Sequence, residues 1–390
     1  MPIEYRRITE DDLVSAARTQ AWAFHDQFDE SNLPRAREWF ELGDYIGAFD
    51  GPDAVGVTER LPLEMTVPGG VVTTACIGGV TVLPSHRRRG LLTEMMKRQL
   101  TAAHEDGTIL SALEASEAPI YGRYGYGIAA MHDNWEIDRR RTGYRQEYKW
   151  NGSIHMVTTD RAREVFPEVY WRSAGSRAGV VQPPKPWWPN MIDDKQPNYY
   201  VEYREGDVEG MAIYQIKEQV VMVSMLIART EAAYAALWNF CFSIDLVKTV
   251  KAWARPTDDP LMWMLHDARA LERKTYDRTW LRLVDVPKAL SSRTYAQEDE
   301  IVFEVRDEFC PWNDGVYELN GGPSGAVCTP TTKSPDITLA ADDLAVPYLG
   351  GFPFTPLAHA GRVVEHTPGA LHRADAMFAT PLKPWSPMLT

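Results

Sequence analysis

Arg87-Arg88-Arg89-Gly90 is the stretch of this chain best suited to chemistry on a charged ligand. It follows an alternating apolar run that stops at Pro84. It precedes a run in which Leu91, Leu92, Met95, Met96, Leu100 and Ala103 recur at helical spacing. Backbone N–H groups at the start of a helix have no partner within it and attract anions. A glycine there lets a ligand approach the backbone, and arginines add charge and paired donors for phosphate oxygens. A polyphosphate is the guest such an arrangement suits. A solvated basic surface would use the same residue types, so the neighbouring elements must decide.

Those elements are a strand beginning near Val71, in which Val80 and Val82 alternate around Thr81, then the helix, then a second strand over residues 108–115. The strand–loop–helix–strand unit contains no G-x-x-x-x-G-K-[ST] and no G-x-G-x-x-G between strand and helix, so neither a nucleotide-triphosphate loop nor a dinucleotide fingerprint accounts for it. Directly after the second strand comes S-E-A-P-I-Y-G-R-Y-G-Y-G, residues 116–127.

V-x-P-x-x-R-x-x-G followed, one helix and one strand later, by S-x-x-x-I-Y-G-R-x-G-Y resembles the acetyl-CoA site of the GCN5-related N-acetyltransferases (GNAT). The wording A-S-E-A-P-I-Y-G-R-Y-G-Y-G is similar to their enhanced-intracellular-survival (Eis-type) branch. So are R-T-W-L-R-L-V-D-V from Arg278, Y-L-G-G from Tyr348, and the end of the chain, D-A-M-F-A-T from Asp375 with Pro384-Trp385. The resemblance spans nearly the whole chain. It implies acetyl-CoA as co-substrate, with Arg87, Arg88, Gly90, Leu91 and Leu92 around the pyrophosphate and Ser116 also at the cofactor. The backbone of Val80 and Val82 would pair with the pantetheine arm. Tyr121 falls where the family places a general acid, and a phenol, with an ordinary pKa of about 10, keeps its proton at neutral pH. The same resemblance makes the terminal carboxylate, here on Thr390, the base that accepts the amine proton. The proline-rich tail before it cannot be a helix or an inner strand, which fits an extended arm. In this fold the end of the first helix lines the acceptor pocket, which places Trp22, Phe24 and Asp26 there. Asp26 is either the carboxylate that holds a cationic amine or a solvated acid; the sequence leaves both open.

Bulk properties bound the function. The chain has 390 residues, a net charge of −13 and a 44% hydrophobic fraction, enough for several domains with cores of their own. The acidic balance and the short arginine run speak against a nucleic-acid partner and suit a polycation. No apolar run reaches membrane-spanning length, and the first residues lack the apolar core of a signal peptide, which gives the cytoplasm as the expected compartment. Cys76, Cys241, Cys310 and Cys328 are scattered and read as reduced thiols, and no histidine spacing fits a metal, so no metal is expected.

The expected fold class is α/β (α+β): tandem GNAT-like mixed-sheet domains followed by a small sterol-carrier-like α+β domain. Residues 1–145 form the catalytic domain. Residues 146–287 repeat the strand–helix–strand order, but Ala228-Arg229-Thr230-Glu231 replaces the basic loop, so this copy carries no cofactor site. Residues 288–390 form the third domain, in which Asn313-Asp314-Gly315 signals a hairpin, and end in the arm that enters the active site. The leading function is acetylation of amines on small polycations of aminoglycoside or polyamine type. Protein lysine or N-terminal acetylation, and a non-catalytic acyl-CoA- or lipid-binding role, remain as alternatives. The resemblance also implies a homo-hexamer.

Overall fold

Strands β1 (Glu4–Arg7), β2 (Asp44–Asp50), β3 (Asp53–Val67), β4 (Gly70–Val82) and β5 (Leu110–Leu113) lie side by side in chain order. All adjacent pairs are antiparallel except β4 and β5, which run parallel on either side of a helical crossover. The end of the strand Glu272–Leu283 pairs with the far side of β5. The computed structural model describes residues 2–193 and 195–388. Their contacts form two units: the chain up to Ala129 with Thr279–Thr380, and Ala130–Arg278 with Pro381–Met388.

In the first unit the two faces of the sheet bury different helices. Helix α1 (Leu13–Ala23), with α2 (Leu33–Phe40) following it, covers Tyr45, Phe49, Ala54 and Val57. Helix α3 (Leu91–Glu105) covers Ile46, Ala48 and Val55 with Leu91 and Met95, and Ala75, Ile77 and Leu113 with Met96, Leu100 and Ala103. The period-2 alternation of β2 sends Tyr45 and Ile46 to opposite faces. A 3-10 turn, Glu10–Asp12, leads into α1 and is closed by the Asp12 carboxylate, which accepts the Thr9 N–H at 2.9 Å and its hydroxyl at 2.8 Å while Arg6 grips it with two nitrogens. Strand β5 is shorter than the 108–115 expected, because β4 pairs with it only over Thr74–Cys76.

The second unit orders its strands as Gly127–Asp138, Thr249–Pro256, Val220–Ala228, Asp207–Lys217, Tyr199–Glu205 and Ser153–Val157. Helix Glu231–Ser243 connects the parallel strands Val220–Ala228 and Thr249–Pro256, repeating the β4–α3–β5 order. A helix at Thr159–Ala174, absent from the sequence reading, packs Phe166, Val169 and Tyr170 on Tyr200, Met211 and Ile213. Pro167 in its middle disguises it. The tail is docked here: Trp385 donates its backbone N–H to Ala178 and its indole N–H to Ala254 at 2.6 Å, and the Lys383 N–H reaches Asp258.

The remaining part of the first unit is a five-stranded sheet in the order Gly325–Pro330, Gly315–Gly322, Asp299–Arg306, Ile337–Ala340, Val363–Glu365. It buries Phe303, Phe354 and Phe378 against one another. The expected hairpin exists as a strand pair, but its connection is residues 307–314 rather than a tight turn. The Asp307 carboxylate organises that loop by accepting the Cys310 N–H at 2.9 Å and the Asn313 amide at 3.2 Å. All four cysteines are free and buried. Burial pushes the Cys76, Cys241 and Cys328 thiols up to about 12 and Cys310 to about 11.

Candidate active site

The basic loop joins β4 to α3 through a short 3-10 turn, Pro84–His86. Its foot is anchored by the Leu83 N–H on the Val55 carbonyl at 2.9 Å and the His86 N–H on the Leu83 carbonyl at 2.8 Å. Beyond it Arg87, Arg88 and Arg89 are exposed, and the Arg87 side chain bends back to the Val82 carbonyl at 3.4 Å. Two residues take left-handed backbone, Arg88 at φ +62 and Gly90 at φ +80. A Cβ at Gly90 would meet nothing within 4 Å, so conformation, not space, is what the glycine supplies.

Gly90 is also the N-cap of α3 and has no side chain to spend on the helix. The first intrahelical bond runs from the Glu94 N–H to the Gly90 carbonyl, which leaves the N–H groups of Leu91, Leu92 and Thr93 without a helical acceptor. The Leu91 side chain is buried among Ile46, Ala48 and Val55, so this residue can meet an anion only through its backbone. The repeat in the second unit differs at this point. Thr230 caps its helix, accepting the Ala233 N–H at 3.1 Å, and Arg229 is ion-paired with Glu209. There the donors and the charge are consumed within the chain.

Past Cys76, β4 runs on without β5 beside it. Since the Leu83 N–H points to β3, strand alternation turns the backbone groups of Val80 and Val82 to the open side. An extended amide-bearing chain can add to such an edge. These features fit acetyl-CoA: Arg87, Arg88 and the Gly90–Leu92 backbone offer donors to an anion, and beside them runs a strand edge that β5 leaves uncovered past Cys76.

Tyr121 is buried, with its ring edge-on to Tyr124 and Tyr126 at 6.5 and 6.2 Å. Burial pushes its hydroxyl up to about 12, with the neighbouring Tyr124 and Glu117 adding to the effect. Tyr124 bonds Thr93 at 3.1 Å and Tyr126 bonds Ser111 at 2.6 Å, so both are fixed from their own side of the loop. Ser116 is exposed at the start of the same loop. The loop is braced by residues from beyond 279. Phe309 packs on Tyr124 at 4.9 Å, and the buried Arg282, ion-paired with Asp307, fills the space where a side chain on Gly125 would stand. Sequence reasoning did not foresee this brace.

Trp22 and Phe24 are exposed at the end of α1, 52% and 53% accessible, and Asp26 is exposed beside them. Asp26 shares a shallow cleft with Phe28, Asn32 and Leu33. Thr390 lies outside the described residues. Among the described residues no three His, Cys, Asp or Glu side chains converge as a metal site would need, and no helix is long and apolar enough to cross a membrane. The sequence reading also passed over Glu59, Tyr45 and Gln20, which meet behind the Gly78-Gly79 backbone of β4. The signals were there: an acid interrupting an apolar strand, and a glycine pair inside another.

A parallel strand pair bridged by a helix that leaves its first donors free, with a buried tyrosine loop after it, defines an acetyltransferase of GNAT class. Residues 4–129 and 179–283 each match an acetyltransferase (GNAT) domain, and residues 286–387 a sterol carrier protein domain. A protein from Streptomyces avermitilis described as an uncharacterized N-acetyltransferase is 36% identical, covering 96% of this chain and 97% of its own. N-acetyltransferase Eis of Mycobacterium tuberculosis is 33% identical over 86% of this chain and 85% of its own. The crystal structure of Eis1 from Mycobacterium abscessus has a TM-score of 0.88 at 32% identity, covering all of both chains. The chain belongs to the Eis N-acetyltransferases, with two tandem GNAT domains and a sterol-carrier-like domain, and it is an enzyme of N-acetyl transfer.

Proposed function

We propose that the enzyme moves the acetyl group of acetyl-CoA to a primary amine of a small polycationic acceptor, of aminoglycoside or polyamine type. The observation that carries this reading is the asymmetry between the two copies: in the first the helix start is capped by a glycine and Arg87, Arg88 and Arg89 meet no carboxylate among the described residues, beside a strand edge that β5 does not cover, while in the second Thr230 caps the helix and Arg229 is ion-paired with Glu209. Arg87, Arg88 and the Gly90, Leu91 and Leu92 backbone hold the pyrophosphate, and Val80 and Val82 hold the pantetheine arm. Ser116 lies at the cofactor, while Trp22, Phe24 and Asp26 border the acceptor. The net charge of −13 favours a cationic acceptor. Residues 1–145 act as the catalytic domain, 146–287 as its cofactor-free copy and 288–390 as the sterol-carrier-like domain with its terminal arm.

In the transfer step the amine nitrogen attacks the thioester carbonyl, a C–N bond forms and the C–S bond breaks. Tyr121 gives its proton to the departing thiolate, and the ammonium proton goes to the Thr390 carboxylate. We assign the protein to the cytoplasm as a homo-hexamer; a sizing measurement that returns a monomer would overturn the assembly.

The deciding experiment measures thiol release from acetyl-CoA with a panel of polyamines, aminoglycosides and lysine peptides. Turnover with the small polycations is expected. Turnover with peptides alone would reassign the acceptor, and none with any amine would leave only a binding role. Alanine at both Arg87 and Arg88 should weaken acetyl-CoA binding by about 10- to 100-fold in calorimetry, because charge-assisted phosphate contacts are lost. An unchanged affinity would place the pyrophosphate elsewhere.

A further inference from the structure

Glu59 stands on the face of β3 that α1 and α2 cover, opposite Tyr45 in the antiparallel register. Burial raises its carboxyl above the ordinary range, and the Tyr45 O–H donated to it partly offsets this. No basic side chain shares in that balance. The register between β3 and β4 slips here, from Val57 opposite Thr81 to Glu59 opposite Gly78, leaving a bulge at Gly79 with φ +53. The bulge is bare on the side of the acid. A Cβ at Gly78 would lie 2.3 Å from Glu59 Oε1, and one at Gly79 would lie 2.3 Å from Gln20 Nε2 and 3.2 Å from Glu59 Oε2. Gln20 donates to the Gly79 carbonyl at 3.3 Å. The two glycines are what make room for the carboxylate.

The exposed side of Glu59 lines a cleft of about 400 Å³, walled by Gln20, Trp39, Phe40 and Tyr45. A carboxylate among aromatic walls with no cation of its own is costly unless a ligand brings one. The aromatic faces favour a cation as well. Arg35, the only basic residue on the lining among the described residues, is exposed on α2, where water screens it. Gly79 immediately precedes Val80, the first residue proposed to hold the pantetheine arm.

We infer that Glu59 is the counter-ion for a second, non-reacting ammonium group of the acceptor, so that the enzyme selects amines carrying two positive charges at a fixed spacing. This rests on the transferase reading above. One amine meets the thioester beside Val80 while the other sits behind the bulge against Glu59.

The test compares α,ω-diaminoalkanes from propane to hexane length with the matching monoamines, in the native enzyme and in Glu59→Gln, which keeps an acceptor for Tyr45. The native enzyme should prefer one diamine length over its monoamine. Glu59→Gln should cut that preference by about ten-fold or more through KM, leaving monoamine turnover and acetyl-CoA affinity as they were. Glu59→Asp should restore part of it. A diamine-to-monoamine ratio within about two-fold of native in Glu59→Gln would overturn the inference while leaving the transferase reading intact. So would an equal loss for both amine classes, or a native enzyme that prefers no diamine. Failure of the native enzyme on every amine would remove the transferase reading itself, and the role of Glu59 with it.

Discussion

Asp307→Ala should destabilise the unit containing the active-site loop by about 3–5 kcal/mol, read as a fall in the urea midpoint followed by tryptophan fluorescence. The Arg282 guanidinium is fully buried beside Gly125, and Asp307 is its ion-pair partner. Removing the carboxylate strands a charge in the interior and leaves the Cys310 N–H without its acceptor, while the Asn313 amide keeps only the Leu283 and Val284 carbonyls. The double change Arg282→Met with Asp307→Leu should recover most of the loss, because it removes both charges. Because Phe309 of the same loop packs on Tyr124, the single variant should lose transferase activity along with stability. A loss under about 1 kcal/mol would mean the pair does not hold the loop.

Tyr121→Phe should lower kcat by about 100-fold, the ordinary worth of a placed proton donor, and leave acetyl-CoA affinity alone. The ring survives in this variant, so the packing with Tyr124 and Tyr126 survives with it. With the hydroxyl held at about 12, Tyr121 keeps its proton throughout the neutral and mildly alkaline range and can donate it at any pH there. Its contribution fades only as pH rises toward 12. Any alkaline fall in rate at lower pH must come from another group, and the phenylalanine variant should show it unchanged. Turnover within about two-fold of native would take Tyr121 out of the mechanism.

The parts legible in the sequence are those fixed by local rules. The loop from Pro84 to Gly90 declared itself through proline, charge and glycine in series, and α3 through its apolar spacing. The second strand–helix–strand unit was equally plain, and so was the change of its basic loop into Arg229-Thr230. What stayed hidden depends on partners far along the chain. Arg282 reads as a charged residue in a strand until Asp307 and Gly125 close around it. Glu59 reads as a solvated acid until the bulge at Gly78-Gly79, on the neighbouring strand β4, opens a space for it. The helix containing Pro167 was masked because tertiary packing of Phe166, Val169 and Tyr170 overrides a local breaker.

The burial of Cys76, Cys241, Cys310 and Cys328 has a practical side. Their protonated, inaccessible sulfurs leave the native chain almost silent toward disulfide-type reagents, since only a thiolate attacks them. Colour developed during a coenzyme-release measurement therefore counts product rather than enzyme. A substitution that collapses the architecture betrays itself in the same cuvette, through four added equivalents before any amine is supplied.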